Sequence, residues 1–146
     1  MKIKILLFFF LISLSNVAIG QDCSTSFTSH NTGSVITTRP VNMSGTAKVP
    51  LKSHVWILVQ AEGFDGWYPQ GNGERPITNS KWVCTVFLGQ LGQTGYYEIA
   101  IAVVNDDVNQ SLKNWVKTAQ ENGYPPIPFP DMFEKCTFSS IRVEKR

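Results

Sequence analysis

Three cysteines and two histidines, with scattered carboxylates, are the residues here whose types could do covalent or acid–base chemistry. Nucleophilic catalysis needs a Ser or Cys, a base beside it and a third group that orients the base. His30 lies in a stretch rich in Ser, Thr and Asn, and His54 opens an apolar run, so either would depend on distant partners. There is no Gly-x-Ser-x-Gly elbow, and the cysteines lack a local activating pattern. Among the carboxylates, Glu62 and Asp65 share a turn, while Asp106 and Asp107 read as helix-capping residues. Glu98 falls mid-strand among apolar residues and needs a Lys or Arg partner if its face is covered. No catalytic residue is expected. A small exported hydrolase built on His54 or Glu98 stays as the weakest alternative.

Cys23, Cys84 and Cys136 allow one internal bridge, Cys23–Cys136 or Cys84–Cys136, with the third cysteine buried or pairing between chains. Cys84 serves equally as a small core hydrophobe. No two Cys or His residues have ligand spacing, so neither a metal nor another cofactor is expected. Asn42-Met43-Ser44 and Asn109-Gln110-Ser111 match the N-glycosylation pattern, the second inside a helical segment.

Aromatic residues are the feature with most potential for recognition. Trp56, Trp82 and Trp115 follow strand or helix periodicity and point inward, whereas Trp67 and Tyr68 sit between an Asp65-Gly66 turn and a glycine loop. Exposed rings there could stack on a sugar or anchor a protein partner. Trp67, Tyr68 and Gln70 are therefore the candidate ligand-binding residues.

The elements that must position these residues emerge once the leader is set aside. Met1 to Gly20 has Lys2 and Lys4, an apolar run and small residues before a cleavage site, which is a signal-peptide pattern. The 146-residue chain has 13 Lys and Arg against 11 Asp and Glu. Removal of the leader takes Lys2 and Lys4 and leaves a neutral chain with no further membrane span. Neutrality argues against nucleic acid as a partner. A secreted, periplasmic or cell-surface location follows, with a protein or a glycan of the cell envelope as partner.

Residues 21–33 read as a flexible or edge-forming arm, and 34–146 as one domain of short β runs punctuated by turns. Val35 to Thr38 is an edge strand before Pro40, followed by Val41 to Ala47. His54 to Gln60 and Tyr96 to Asn105 are apolar on both faces. Lys81 to Leu88 alternates, with Trp82, Cys84 and Val86 on one side. Asp107 with Gln110 predicts a helix start, Asn122-Gly123 its end. A proline-rich crossover then leads to a last strand, Cys136 to Val143, and a charged tail.

Ser44-Gly45-Thr46-Ala47, Val55-Trp56-Ile57-Leu58-Val59, Trp67-Tyr68-Pro69-Gln70, Trp82, Phe87-Leu88-Gly89, Tyr97-Glu98-Ile99, Gly123-Tyr124-Pro125 and Ile141-Arg142-Val143 together resemble a bacterial immunoglobulin-like module. The resemblance runs from about Ser34 to Arg146. In that family the module is attached to peptidase-like and signalling domains and has no settled activity. It implies a mostly β, immunoglobulin-like sandwich of about seven strands, with one α-helix inserted before the C-terminal strand. It also implies a non-catalytic character. The expected function is a binding module for a protein partner, with a carbohydrate-binding module as the alternative.

Overall fold

Alternating and doubly apolar segments need covering layers on one or both faces, and the chain supplies them. A computed structural model describes residues 22–146, so the expected leader lies outside the described residues. The elements run β1 (Ser24–Phe27), β2 (Val35–Ile36), β3 (Val41–Lys48), β4 (His54–Ala61), β5 (Tyr68–Pro69), β6 (Lys81–Val86), β7 (Gly95–Val104), α1 (Asp106–Ala119) and β8 (Ser139–Lys145). They form a three-stranded sheet, β1-β3-β6, and a five-stranded sheet, β2-β8-β7-β4-β5. The result is a mostly β sandwich with one helix before the last strand.

The strands number eight rather than seven because Ser24–Phe27, within the expected arm, pair antiparallel with β3. Gly45 makes that pairing possible: a Cβ there would meet the Ser26 carbonyl and the Trp82 indole. Phe27 instead packs edge-on against Trp82, with ring centroids 5.4 Å apart. Cys23 and Cys136 form a disulfide, Cα atoms 4.9 Å apart, that ties the start of β1 to the crossover before β8.

Two cores explain the sequence patterns. Between the sheets, Met43, Trp82, Cys84 and Val86 meet Val55, Ile57, Ile99, Ile101, Val103 and Val143. On the far side of the large sheet, Trp56, Leu58, Ala100, Ala102 and Val104 pack under Leu112 of α1 and Trp67. β4 and β7 are the central pair of this three-layer arrangement, paired from His54↔Val104 to Ala61↔Tyr97. Both their faces are covered, so both faces are apolar. Each large side chain buried there contributes about 1.5–3 kcal/mol.

Several boundaries differ from the sequence expectation: β2 ends at Ile36 rather than Thr38, and β8 begins at Ser139 rather than Cys136. Asn105, not Asp107, caps the helix: its side chain accepts from the Val108 amide, and Asp106 and Asp107 fall in the first turn. There their charges favour the helix dipole. The last strand runs to Lys145 because β7 pairs with it on one side, Gly95↔Lys145, and β2 on the other, in parallel, Val35↔Glu144 and Ile36↔Lys145. Glu144 and Lys145 thus belong to the sheet, not to a tail.

Candidate ligand-binding cleft

Antiparallel pairing brings the end of β4 beside the start of β7, and α1 runs back over the sheet toward the same end. The loops on both sides leave an open cleft of about 1150 Å³. Val59, Ala61 and Tyr97 contribute from the large sheet, and Thr85 from the end of β6. Phe64, Tyr68, Phe87, Tyr96, Trp115 and Tyr124 add six rings from five segments of the chain. Of these, Phe64 is 70% exposed, Tyr124 56%, Phe87 48% and Tyr96 41%.

The cleft's polar groups are mostly committed to holding its walls. The Arg75 guanidinium donates to the Gly71 carbonyl at 2.5 Å and to the Gly73 carbonyl at 2.9 Å, which closes the glycine loop on itself. Gly71 has φ +71°, and a Cβ there would press on Arg75 and on the Cys84 thiol. Gly89, at φ +59°, is likewise required, since a Cβ would meet the Tyr97 hydroxyl. The Arg142 guanidinium stacks 3.8 Å from the centroid of Tyr96 and donates to both Glu62 carboxylate oxygens at 3.0 Å. That fixes Tyr96 as one wall. Trp115 donates its indole N–H to the Pro125 carbonyl at 2.9 Å and meets Tyr124 edge-on. Arg39 lies 5.8 Å from the Phe87 centroid.

Of the candidate residues, Tyr68 and Gln70 line the cleft and Trp67 does not. Trp67 is turned inward, 9% exposed, against Phe129 of the crossover. Reciprocal backbone bonds with Ile127, Trp67 N–H to O at 2.7 Å and Ile127 N–H to O at 3.0 Å, hold it there. It offers no ring face to a sugar. Gln70 is buried too; it accepts from the Phe87 amide at 2.8 Å and donates to the Tyr68 carbonyl at 3.1 Å. Its role is to join β5 to the segment after β6. Tyr68 is half-buried and lines the cleft.

No family model matches the chain, and no curated protein matches it.

The other singled-out groups have structural partners. Both ring nitrogens of His54 face carboxylates, Nδ1 toward Glu74 and Nε2 toward Asp106 at 2.7 Å. Neither nitrogen is left to activate a nucleophile. Partial burial opposes a charge on His54, but the hydrogen bonds to Asp106 and Glu74 outweigh it and hold the imidazole above its ordinary value. Burial alone would raise Glu74, but Lys113 at 2.5 Å and His54 hold it below the usual carboxylate range. This cluster clasps β4, the glycine-loop segment and α1. His30 Nδ1 meets Ser29 Oγ at 2.8 Å in an exposed turn. Glu98 accepts from the Ser140 hydroxyl at 2.7 Å rather than from a cation. Cys84 is a free, buried thiol whose pKa burial pushes up to about 11 against the opposing charge of Arg75. Asn109 is buried, its Oδ1 accepting from the Trp56 indole at 2.8 Å, whereas Asn42 is exposed on β3.

Sequence reasoning missed Phe64, Phe87 and Tyr124. Phe87 carried a usable signal, because it continues the outward register of Lys81, Val83 and Thr85. Phe64 directly precedes the Asp65-Gly66 turn, where a ring has little chance of finding cover.

Proposed function

We propose that the protein is an exported, immunoglobulin-like, non-catalytic module that binds a protein partner through its aromatic cleft. One observation carries this reading: four exposed rings, Phe64, Phe87, Tyr96 and Tyr124, border one open cleft. Rings with apolar faces and polar edges are strong anchors for a partner's side chains. A monomer rarely leaves several of them together without a binding role. An extended protein segment with apolar side chains fits an open cleft of this size.

The immunoglobulin-like part of the proposal is supported by strand order. The short β2 adds in parallel to β8 at the edge of the five-stranded sheet, while β1 pairs with β3 in the three-stranded sheet. One N-terminal stretch that feeds both sheets fits such a sandwich. Export is supported by the Cys23–Cys136 disulfide, which suits an oxidising compartment. Among the described residues, no helix is long and apolar enough to cross a membrane.

Peptide display panned on the disulfide-intact protein tests the proposal. Enriched peptides should carry apolar or aromatic residues, bind the wild type, and lose binding to Phe87→Ser/Tyr124→Ser, whose side chains are exposed enough to preserve the fold. Peptides that bind the double variant equally well would sink the proposal. A glycan array run in parallel covers the carbohydrate alternative, and ring-dependent glycan binding there would replace the protein-partner reading.

A further inference from the structure

Beside the cleft, and sharing Arg39, Gln93 and Thr94 with it, lies a second pocket of about 190 Å³ at the end of β8. Its unusual component is Lys145, only 6% exposed, which points between the sheets in the same register as Val143 and Ile141. An ammonium has three N–H donors. Lys145 uses one, donating to the Gln90 carbonyl at 2.8 Å. Among the described residues no carboxylate lies within 4.0 Å of it. A charge withdrawn from water this far is costly unless it is paired.

The surroundings add positive charge rather than cancel it. Arg39 lines the same pocket and also has no carboxylate within 4.0 Å among the described residues. Arg146 lines it as well, but Glu144 neutralises that guanidinium with contacts of 2.7 and 3.2 Å. Thr37 and Thr38 line it too and add no charge. The space exceeds the roughly 30 Å³ share of one water molecule several-fold.

We propose that this pocket binds a small oxyanion, a carboxylate or a phosphate, with Lys145 as the buried anchor and Arg39 as the second cation. The oxyanion supplies the counter-charge that the chain withholds from Lys145. The alternative role for Lys145 is purely mechanical: its stem fills the sandwich rim and its ammonium holds the Gly89–Gly92 turn. The two roles differ in one respect. Only the first makes the protein respond to oxyanions beyond their ionic strength. The inference does not rest on the cleft's binding a partner, although an acidic group on a ligand in the cleft could reach the pocket through Arg39.

Amide NMR of the disulfide-intact protein, titrated with sodium phosphate or sodium acetate against sodium chloride at matched ionic strength, tests this. Gly92, Thr94 and Arg146 should shift saturably with at least one oxyanion and not with chloride. Saturation by phosphate alone assigns the pocket to phosphate groups, and saturation by acetate assigns it to carboxylates. Lys145→Met should abolish saturation. The exposed Arg39→Gln, which should not disturb the core, should weaken binding by about tenfold, the loss of one charge-assisted contact. Equal shifts with chloride, or wild-type affinity in Arg39→Gln, would overturn the proposal whether or not Lys145→Met folds.

Discussion

Asn109→Ala removes the one polar side chain that α1 buries against the large sheet. The Trp56 indole is fully buried and donates to Asn109 Oδ1 at 2.8 Å. Without that acceptor its N–H has no partner in an apolar layer built from Leu58, Ala100, Ala102, Val104 and Leu112. A buried donor left unpaired costs about 1–3 kcal/mol. Against this, Ala is the better helix former by up to about 0.7 kcal/mol. The net expectation is a loss of about 0.3–3 kcal/mol. Trp56→Phe should also destabilise, through lost ring volume and a stranded amide oxygen. In the double variant neither group is stranded, so the two losses should fall short of additive by at least about 0.5 kcal/mol. Urea denaturation of the four proteins, disulfide intact and followed by far-UV circular dichroism, measures each term. Additive losses, or an Asn109→Ala cost below about 0.3 kcal/mol, would refute the claim that this bond docks the helix. The same geometry makes a glycan at Asn109 incompatible with the native fold.

Three further outcomes are expected. The His54 clasp contributes stability that is fully present below the imidazole's ordinary value of 6.5 and is lost as pH rises through its raised folded-state value. His54→Gln should therefore flatten the fall in urea midpoint with rising pH; an unchanged slope would show that the clasp does not titrate as described. Reducing the Cys23–Cys136 bridge, which spans 113 residues, should cost up to about 5 kcal/mol by the chain-entropy estimate, read as a drop in thermal midpoint with a thiol reductant. Cys84 should resist thiol labelling in the native protein and react only in denaturant, because its thiol is buried with a pKa near 11; mass spectrometry before and after denaturation checks this.

Much of the sandwich was legible because its signals are local. Trp82, Cys84 and Val86 alternate with Lys81, Val83 and Thr85, and the structure buries the first set and exposes most of the second. The doubly apolar runs of β4 and β7 required cover on both faces, which the second sheet and α1 provide. Features set by distant partners were not legible. Lys145 reads as part of a charged tail because the strands that pair with it, β7 and β2, lie far earlier in the chain. Trp67 read as exposed because nothing in its own segment reveals that Ile127 and Phe129 of the crossover would cover it. The helix cap shifted from Asp107 to Asn105 because both residue types cap well and only the backbone path distinguishes them. The cleft itself draws on segments around residues 39, 64, 87, 96 and 124, which no periodicity connects.

The most direct test of the central claim is the affinity of a cleft-selected peptide for the wild type and for Phe87→Ser/Tyr124→Ser, measured by isothermal titration calorimetry. Losing two buried ring contacts of about 1–2 kcal/mol each predicts weakening of at least about thirtyfold, with the unfolding midpoint in urea little changed. Equal affinity in both proteins would place the binding surface elsewhere and contradict the account.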